Sequence, residues 1–157
     1  RPRGERVSGE GYVGCGDVDT LIPDTVSLAV DNQGRKVFCI YDAKYYAPSR
    51  SGKMEHQPGL ESVTKQFLYQ SAYKSFIDTH GFDSVVNAFL VPNESQTLVK
   101  LARVSFSEVM GKTDLPLSDF IDMWALPASR VFEAYLNDER IDGNEFKAIW
   151  NSTKDKK

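Results

Sequence analysis

Val37-Phe38-Cys39-Ile40-Tyr41-Asp42-Ala43-Lys44 is a run of β-branched, aromatic and apolar residues that ends in two opposite charges. Its first five residues have the composition of a buried strand. A buried strand does not finish in Asp and Lys unless those charges are paired or serve a ligand such as a metal. Residues two apart on a strand share a face, so Asp42 and Lys44 project together while Ala43 faces away. Upstream, Thr25 to Val30 reads as a second strand, and Asp31-Asn32-Gln33-Gly34 between them is turn chemistry. If the two strands pair about Gln33, Asp24 falls opposite Asp42. The hairpin then carries two carboxylates and one ammonium at one end of a sheet.

Two adjacent carboxylates repel, and a divalent cation relieves the repulsion while binding water and a phosphate oxygen. A neighbouring lysine orients or deprotonates the attacking water and offsets charge developing on the phosphorus centre. The same residues also fit a plain surface ion pair at a strand edge. The order Pro23-Asp24, a hairpin, then Asp42-x-Lys44 resembles the signature of the PD-(D/E)xK nuclease superfamily. Members of that superfamily often carry a further acid on a helix before the first strand. Glu5 and Glu10 precede Asp24 here, but no amphipathic helix carries them, and the pattern departs from the superfamily at that point.

The 157 residues are 41% hydrophobic and 26% charged, an ordinary globular composition for one domain with a sizeable core. We place that domain at residues 1–150, with a polar, unstructured tail at 151–157. The chain begins at Arg1, which is expected of a piece of a longer protein. No run is long enough to cross a membrane and no secretory signal opens the chain, so no membrane partner is expected. Cys15 and Cys39 read as free thiols of a reducing compartment. Nineteen basic against 22 acidic residues leave a formal charge of −3, unlike a nonspecific nucleic-acid binder. The glycine-rich phosphate loop of nucleotide hydrolases is absent, as is zinc-ligand spacing among Cys15, Cys39, His56 and His80.

After Lys44 comes a polar loop whose Arg50, Lys53 and His56 fit either a DNA backbone or bulk solvent. Leu60 to His80 reads as a helix, with Leu68, Ala72 and Phe76 beside Val63 and Phe67 as its core stripe. Gln66, Tyr69, Gln70 and Tyr73 form a second, polar stripe, turned to water or to a site. Val85 to Val91 is a buried strand, and Leu98 to Phe106 a half-exposed edge strand whose Lys100 and Arg103 are solubilising charges. Leu117 to Leu126 and Pro127 to Leu136 read as two helices. Their Phe120, Met123, Trp124, Val131, Phe132, Tyr135 and Leu136 are assigned to the core. Phe146, Ile149 and Trp150 fit one last short helix.

These elements make an α/β fold, a small mixed β-sheet flanked by helices, similar to the restriction-endonuclease core. The segments Ile40-Tyr41-Asp42-Ala43-Lys44-Tyr45-Tyr46, Lys65-Gln66-Phe67-Leu68-Tyr69 and Asn87-Ala88-Phe89-Leu90-Val91-Pro92 resemble the LlaJI-type restriction endonucleases, relatives of the McrC nuclease subunit. The likeness covers about residues 20–110. It implies Mg2+-dependent cleavage of double-stranded DNA in a bacterial, cytoplasmic restriction system, with Mn2+ as a substitute. Asp24 and Asp42 would hold the metal, with the Ala43 carbonyl as a further ligand. Lys44 would act on the water and Gln66 would complete the site. Lys65, Tyr69, Arg50 and Lys53 would meet DNA. A McrB-like GTPase motor and a homodimer are the partners the resemblance implies. Two other readings stand beside it: a RecB-type repair nuclease acting on DNA ends, and a degenerate, non-catalytic DNA-binding module of the same fold.

Overall fold

A computed structural model describes residues 4–5, 15–16, 21–45, 58–111 and 118–154. Short strands β1 (Gly4–Glu5) and β2 (Cys15–Gly16) pair antiparallel with each other. The principal sheet starts at the hairpin of β3 (Thr25–Val30) and β4 (Lys36–Ala43), which pair from Thr25↔Tyr41 to Val30↔Lys36. That register is centred on Gln33, as the turn chemistry predicts. Asp31 holds the turn: its carboxylate accepts from the Gln33 and Arg35 backbone N–H groups and pairs with the Arg35 guanidinium at 2.7 Å. Burial pushes this carboxyl up, and the hydrogen bonds from Arg35 and Gln33 outweigh it and hold the group below its ordinary range. Gly34 takes φ 76°, a conformation that suits glycine.

Helix α1 (Leu60–His80) crosses from β4 to β5 (Ser84–Asn93), which runs parallel to β4. Gly81 ends the helix in the left-handed conformation, its N–H donating back to Asp78. The chain continues through β6 (Val99–Ser105), α2 (Phe106–Met110), β7 (Phe120–Pro127) and α3 (Ala128–Leu136). A 3-10 turn (Gly143–Phe146), α4 (Lys147–Trp150) and a second 3-10 turn (Asn151–Lys154) follow. The five strands lie in the order β3-β4-β5-β7-β6, parallel among β4, β5 and β7 and antiparallel at both edges. The fold is α/β with a mixed sheet flanked by helices, consistent with a restriction-endonuclease-like core.

Alternation along the strands builds two cores. Phe38 and Ile40 face α1, as do Val85, Phe89, Ile121 and Met123, meeting Val63, Phe67, Tyr69 and Ile77 of the helix. Val37, Cys39, Tyr41, Val86, Ala88 and Trp124 face the other way, onto Ile149, Phe146 and Trp150. Trp150 Nε1 donates to the Tyr41 hydroxyl at 2.9 Å and joins the C-terminal helix to β4. Cys39 is a free, buried thiol that burial pushes up to about 11.

Several expectations are corrected here. Residues 120–127 are a strand and not a helix: Ile121, Met123 and Ala125 point to one core while Trp124 points to the other, and the run pairs with both β5 and β6. A short apolar run is ambiguous between helix and strand until its partners are known. Val131, Phe132, Tyr135 and Leu136 of α3 are exposed and outside the core. The α1 stripe of Leu68, Ala72 and Phe76 also faces outward, and the polar stripe with Val63 and Phe67 is the buried one. Four-residue spacing marks a helix face without saying which face is inside, and here the inner one is the face whose glutamines reach backbone groups beneath the helix. The tail expectation fails over Asn151–Lys154, a 3-10 turn in which Asn151 accepts from the Asn32 backbone N–H at 3.2 Å.

Lys100 and Arg103 are not free edge charges. Both reach buried Asp122, Lys100 at 3.0 Å and Arg103 through two nitrogens at 2.6 and 2.9 Å. Residues three apart on a regular strand face opposite ways. A register shift between Lys100 and Ala102 brings the two cations to one face. Burial raises the Asp122 carboxyl, but hydrogen bonds from Arg103 and Lys100 prevail and lower it from 3.8. Its folded pKa lies below the unfolded one, so the triad's contribution is complete above the unfolded pKa and fades as pH falls through the folded value. Asp122→Ala should cost about 3–5 kcal/mol at neutral pH, read as a lower urea midpoint, because it strands two cations at a buried site. The gap to the native protein should narrow below about pH 4 as the native triad is itself protonated.

Candidate active site

Asp24 lies one residue beyond the last hairpin pair, Thr25↔Tyr41, so the register carries it opposite Asp42. Asp24 is exposed, and its Oδ2 accepts from the Ala43 backbone N–H at 2.8 Å. That bond fastens the first carboxylate to the peptide unit joining Asp42 and Ala43. An extended residue points its N–H and C=O to the same side of the strand, so the Ala43 carbonyl is directed toward Asp24 as well. Asp42 is buried, and its Oδ2 is ion-paired with Lys44 Nζ. This oxygen has no hydrogen bond among the described residues. Lys44 also lies over the Phe89 ring, 5.5 Å from its centroid, and its backbone N–H donates to Leu90 at 2.8 Å, prolonging the β4–β5 ladder. The predicted trio of Asp24, Asp42 and Lys44 is therefore brought together at the C-terminal end of β4.

Helix α1 covers this end. Tyr69 is buried, and burial, followed by the negative charges of Asp42 and Asp24, pushes its phenol up, so it stands as a neutral hydroxyl near both carboxylates. Lys65 is exposed, pairs with Glu61 at 2.7 Å and is raised by that partner, with a smaller effect from Asp42. Glu61 is in turn lowered by Lys65 and, more weakly, by Lys44. Glu61, Lys65 and Tyr69 thus line one helix stripe beside the strand end. Glu61 is not among the site residues expected from the sequence, although its four-residue spacing from Lys65 marks an ion pair.

Gln66 lies against β4 but fully inside, 0% exposed, with Nε2 donating to the Ile40 carbonyl at 3.1 Å. Its Oε1 and both amide atoms of buried Asn87 have no hydrogen-bond partner among the described residues. Gln70, also buried, exchanges two hydrogen bonds with the Ser118 backbone at 2.7 and 3.1 Å. The polar stripe therefore holds backbone groups of the sheet and its loops. Arg50 and Lys53, with His56, lie outside the described residues.

The donor set fits a hard divalent ion: two carboxylates and a carbonyl, all oxygens, leaving room for water and a phosphate. Among the described residues no cluster of three or more metal-ligating side chains occurs. One or two carboxylates is the usual protein share for Mg2+ beside a phosphate substrate.

The family model of the LlaJI restriction endonuclease matches residues 16–127, which span the hairpin, α1 and the sheet out to β7. The chain belongs to this family. It is similar to the Type II restriction enzyme BsuMI component YdjA of Bacillus subtilis (strain 168), 32% identical over 145 residues. That alignment covers 88% of this chain and 28% of the relative, so the chain spans little more than a quarter of that protein. No solved structure matches.

Gln66→Ala should lower stability by about 1–3 kcal/mol, since it removes a buried amide from the Ile40 carbonyl. Lys65→Ala, on the exposed side of the same helix, should leave the urea midpoint in place. Equal midpoints for the two variants would show that Gln66 does not anchor β4.

Proposed function

We propose that this chain is the nuclease part of a bacterial restriction enzyme, of PD-(D/E)xK type, cutting double-stranded DNA with Mg2+ or, as a substitute, Mn2+. The observation that carries this reading is the opposition of Asp24 and Asp42 across one hairpin end, with Lys44 on Asp42. Membership of the LlaJI family supports it. Asp24, Asp42 and the Ala43 carbonyl would hold the ion, which when bound supplies Lewis-acid polarisation of the scissile phosphate.

The remaining roles belong to the chain's own groups. Lys44, held between Asp42 and the Phe89 ring, places an ammonium where it orients the attacking water and offsets charge on the phosphate. Tyr69 offers a neutral hydroxyl toward the same oxygens. Gln66 completes the site from beneath, holding the Ile40 carbonyl and hence the strand that presents Asp42. Lys65 reaches a flanking phosphate once Glu61 releases it, and Arg50 and Lys53 contact the backbone further along.

Target recognition, a McrB-like GTPase motor and a second copy for the opposite strand would complete the enzyme. The relative's being a component of a restriction enzyme is in keeping with such an assembly. The bacterial cytoplasm, where the DNA is, is its place of work.

Supercoiled plasmid with Mg2+ should be nicked or linearised, and EDTA should stop it. Asp42→Ala and Lys44→Ala should each lower the rate at least about a hundredfold, with Lys44→Ala still folded and still binding DNA. Cutting that survives EDTA or either substitution would refute this mechanism. A preference for linear ends over closed circles would replace restriction by end-processing.

A further inference from the structure

Across the end of β4 from the carboxylates, on the opposite face of the sheet, lies a cavity of about 430 Å3. It is lined by Ala43 and Lys44 at the end of β4, by Leu90 and Pro92 of β5, and by residues of α3. It sits at the C-terminal ends of the parallel strands β4, β5 and β7, where open α/β sheets take their ligands. Its size is within the range that encloses a small molecule, about 300–1,000 Å3.

Three rings border it. Tyr45 is 89% exposed, Phe132 67% and Tyr135 81%. None has an aromatic partner among the described residues. Tyr45 follows Lys44 directly, and both border the cavity, so the strand end that carries the ammonium also carries an exposed ring. The chain carries a net charge of −3, which weakens the phosphate term that usually dominates DNA affinity. Stacking a base on an exposed ring is insensitive to that charge and is worth about ten- to a hundredfold in affinity.

We propose that this cavity receives an unstacked nucleobase from the DNA strand whose phosphate lies at Asp42 and Lys44, stacked on Tyr45, Phe132 and Tyr135. The inference rests on the nuclease reading and narrows its substrate. DNA already unpaired beside the cleavage point, by a mismatch or a gap, binds best, because extruding the base then costs least. An exposed apolar helix face also suits a protein neighbour. The rim at Lys44 favours DNA, because a protein seated there would stand in the substrate's path.

Two measurements test this. Duplexes with a central gap carrying 5-iodouracil are bound in Ca2+ and irradiated, and the cross-linked residues are mapped. In parallel, KM and kcat for nicking are compared for the native chain, the double variant Phe132→Ala with Tyr135→Ala, and the ring-keeping pair Phe132→Trp with Tyr135→Trp. Cross-links at Tyr45, Phe132 or Tyr135 are expected, with KM raised about tenfold by the alanine pair, kcat little changed and KM restored by the tryptophan pair. A native chain that binds and cuts DNA while cross-linking only elsewhere, with an unchanged KM in the alanine pair, overturns the inference and leaves the nuclease reading intact. A sedimentation shift from dimer to monomer in the alanine pair, without cross-links at the rings, overturns it in favour of a protein interface. A native chain that neither binds nor cuts DNA removes the nuclease reading and this one with it.

Discussion

Asp31 accepts hydrogen bonds from the Gln33 and Arg35 backbone and pairs with the Arg35 side chain, and the register of β3 on β4 follows from that turn. Side chains alternate along a strand with period two, so a slip of one residue would turn Asp24 and Val26 to the wrong face. Val26, Leu28 and their partners Ile40 and Phe38 lie on the α1 side of the sheet. With that register in place, Asp24 meets Asp42 at the hairpin's open end, and the Ala43 N–H secures it. The pair of carboxylates is thus a consequence of a turn several residues away.

The second constraint is that polar groups buried under α1 find partners. Gln66 takes the Ile40 carbonyl and Gln70 takes the Ser118 backbone, so one helix grips both β4 and the segment leading into β7. These bonds are directional where apolar contacts are not, and they set the height of the helix over the strand end. On the other face, Asp122 gathers Lys100 and Arg103, and Arg103 Nη2 also donates to the Ser152 carbonyl. The edge strand β6 and the C-terminal turn are tied to β7 through one carboxylate.

The strand end of β4 is therefore used on both sides. One face presents charge, with Asp42 and Lys44 beneath Tyr69, and the other presents apolar rings over a cavity. A double helix carries both kinds of surface, phosphates outside and bases within. Burial sharpens the electrostatics of the Asp42–Lys44 pair, and Asp42 is buried on the side of the sheet that α1 covers.

The sequence by itself determined the hairpin, its centre at Gln33, the Asp24–Asp42–Lys44 grouping and the extent of α1, because each rests on local turn chemistry, strand alternation or helical spacing. The resemblance carried by Asp42-Ala43-Lys44, the Lys65-Gln66 helix and the Asn87 strand led to the family for the same reason, since those segments are short and contiguous. Only the tertiary structure decided that 120–127 is a strand, since its apolar run satisfies either period until β5 and β6 lie beside it. The tertiary structure also decided which α1 face is inside. Gln66 and Gln70 fit a face turned to water or to a site until the backbone groups that bind them are brought underneath. Phe132 and Tyr135 look like core residues until α3 is seen to end over a cavity with no further layer of the described chain above it. Hydrophobicity reads the cost of meeting water, and only the packed fold says which groups have escaped it.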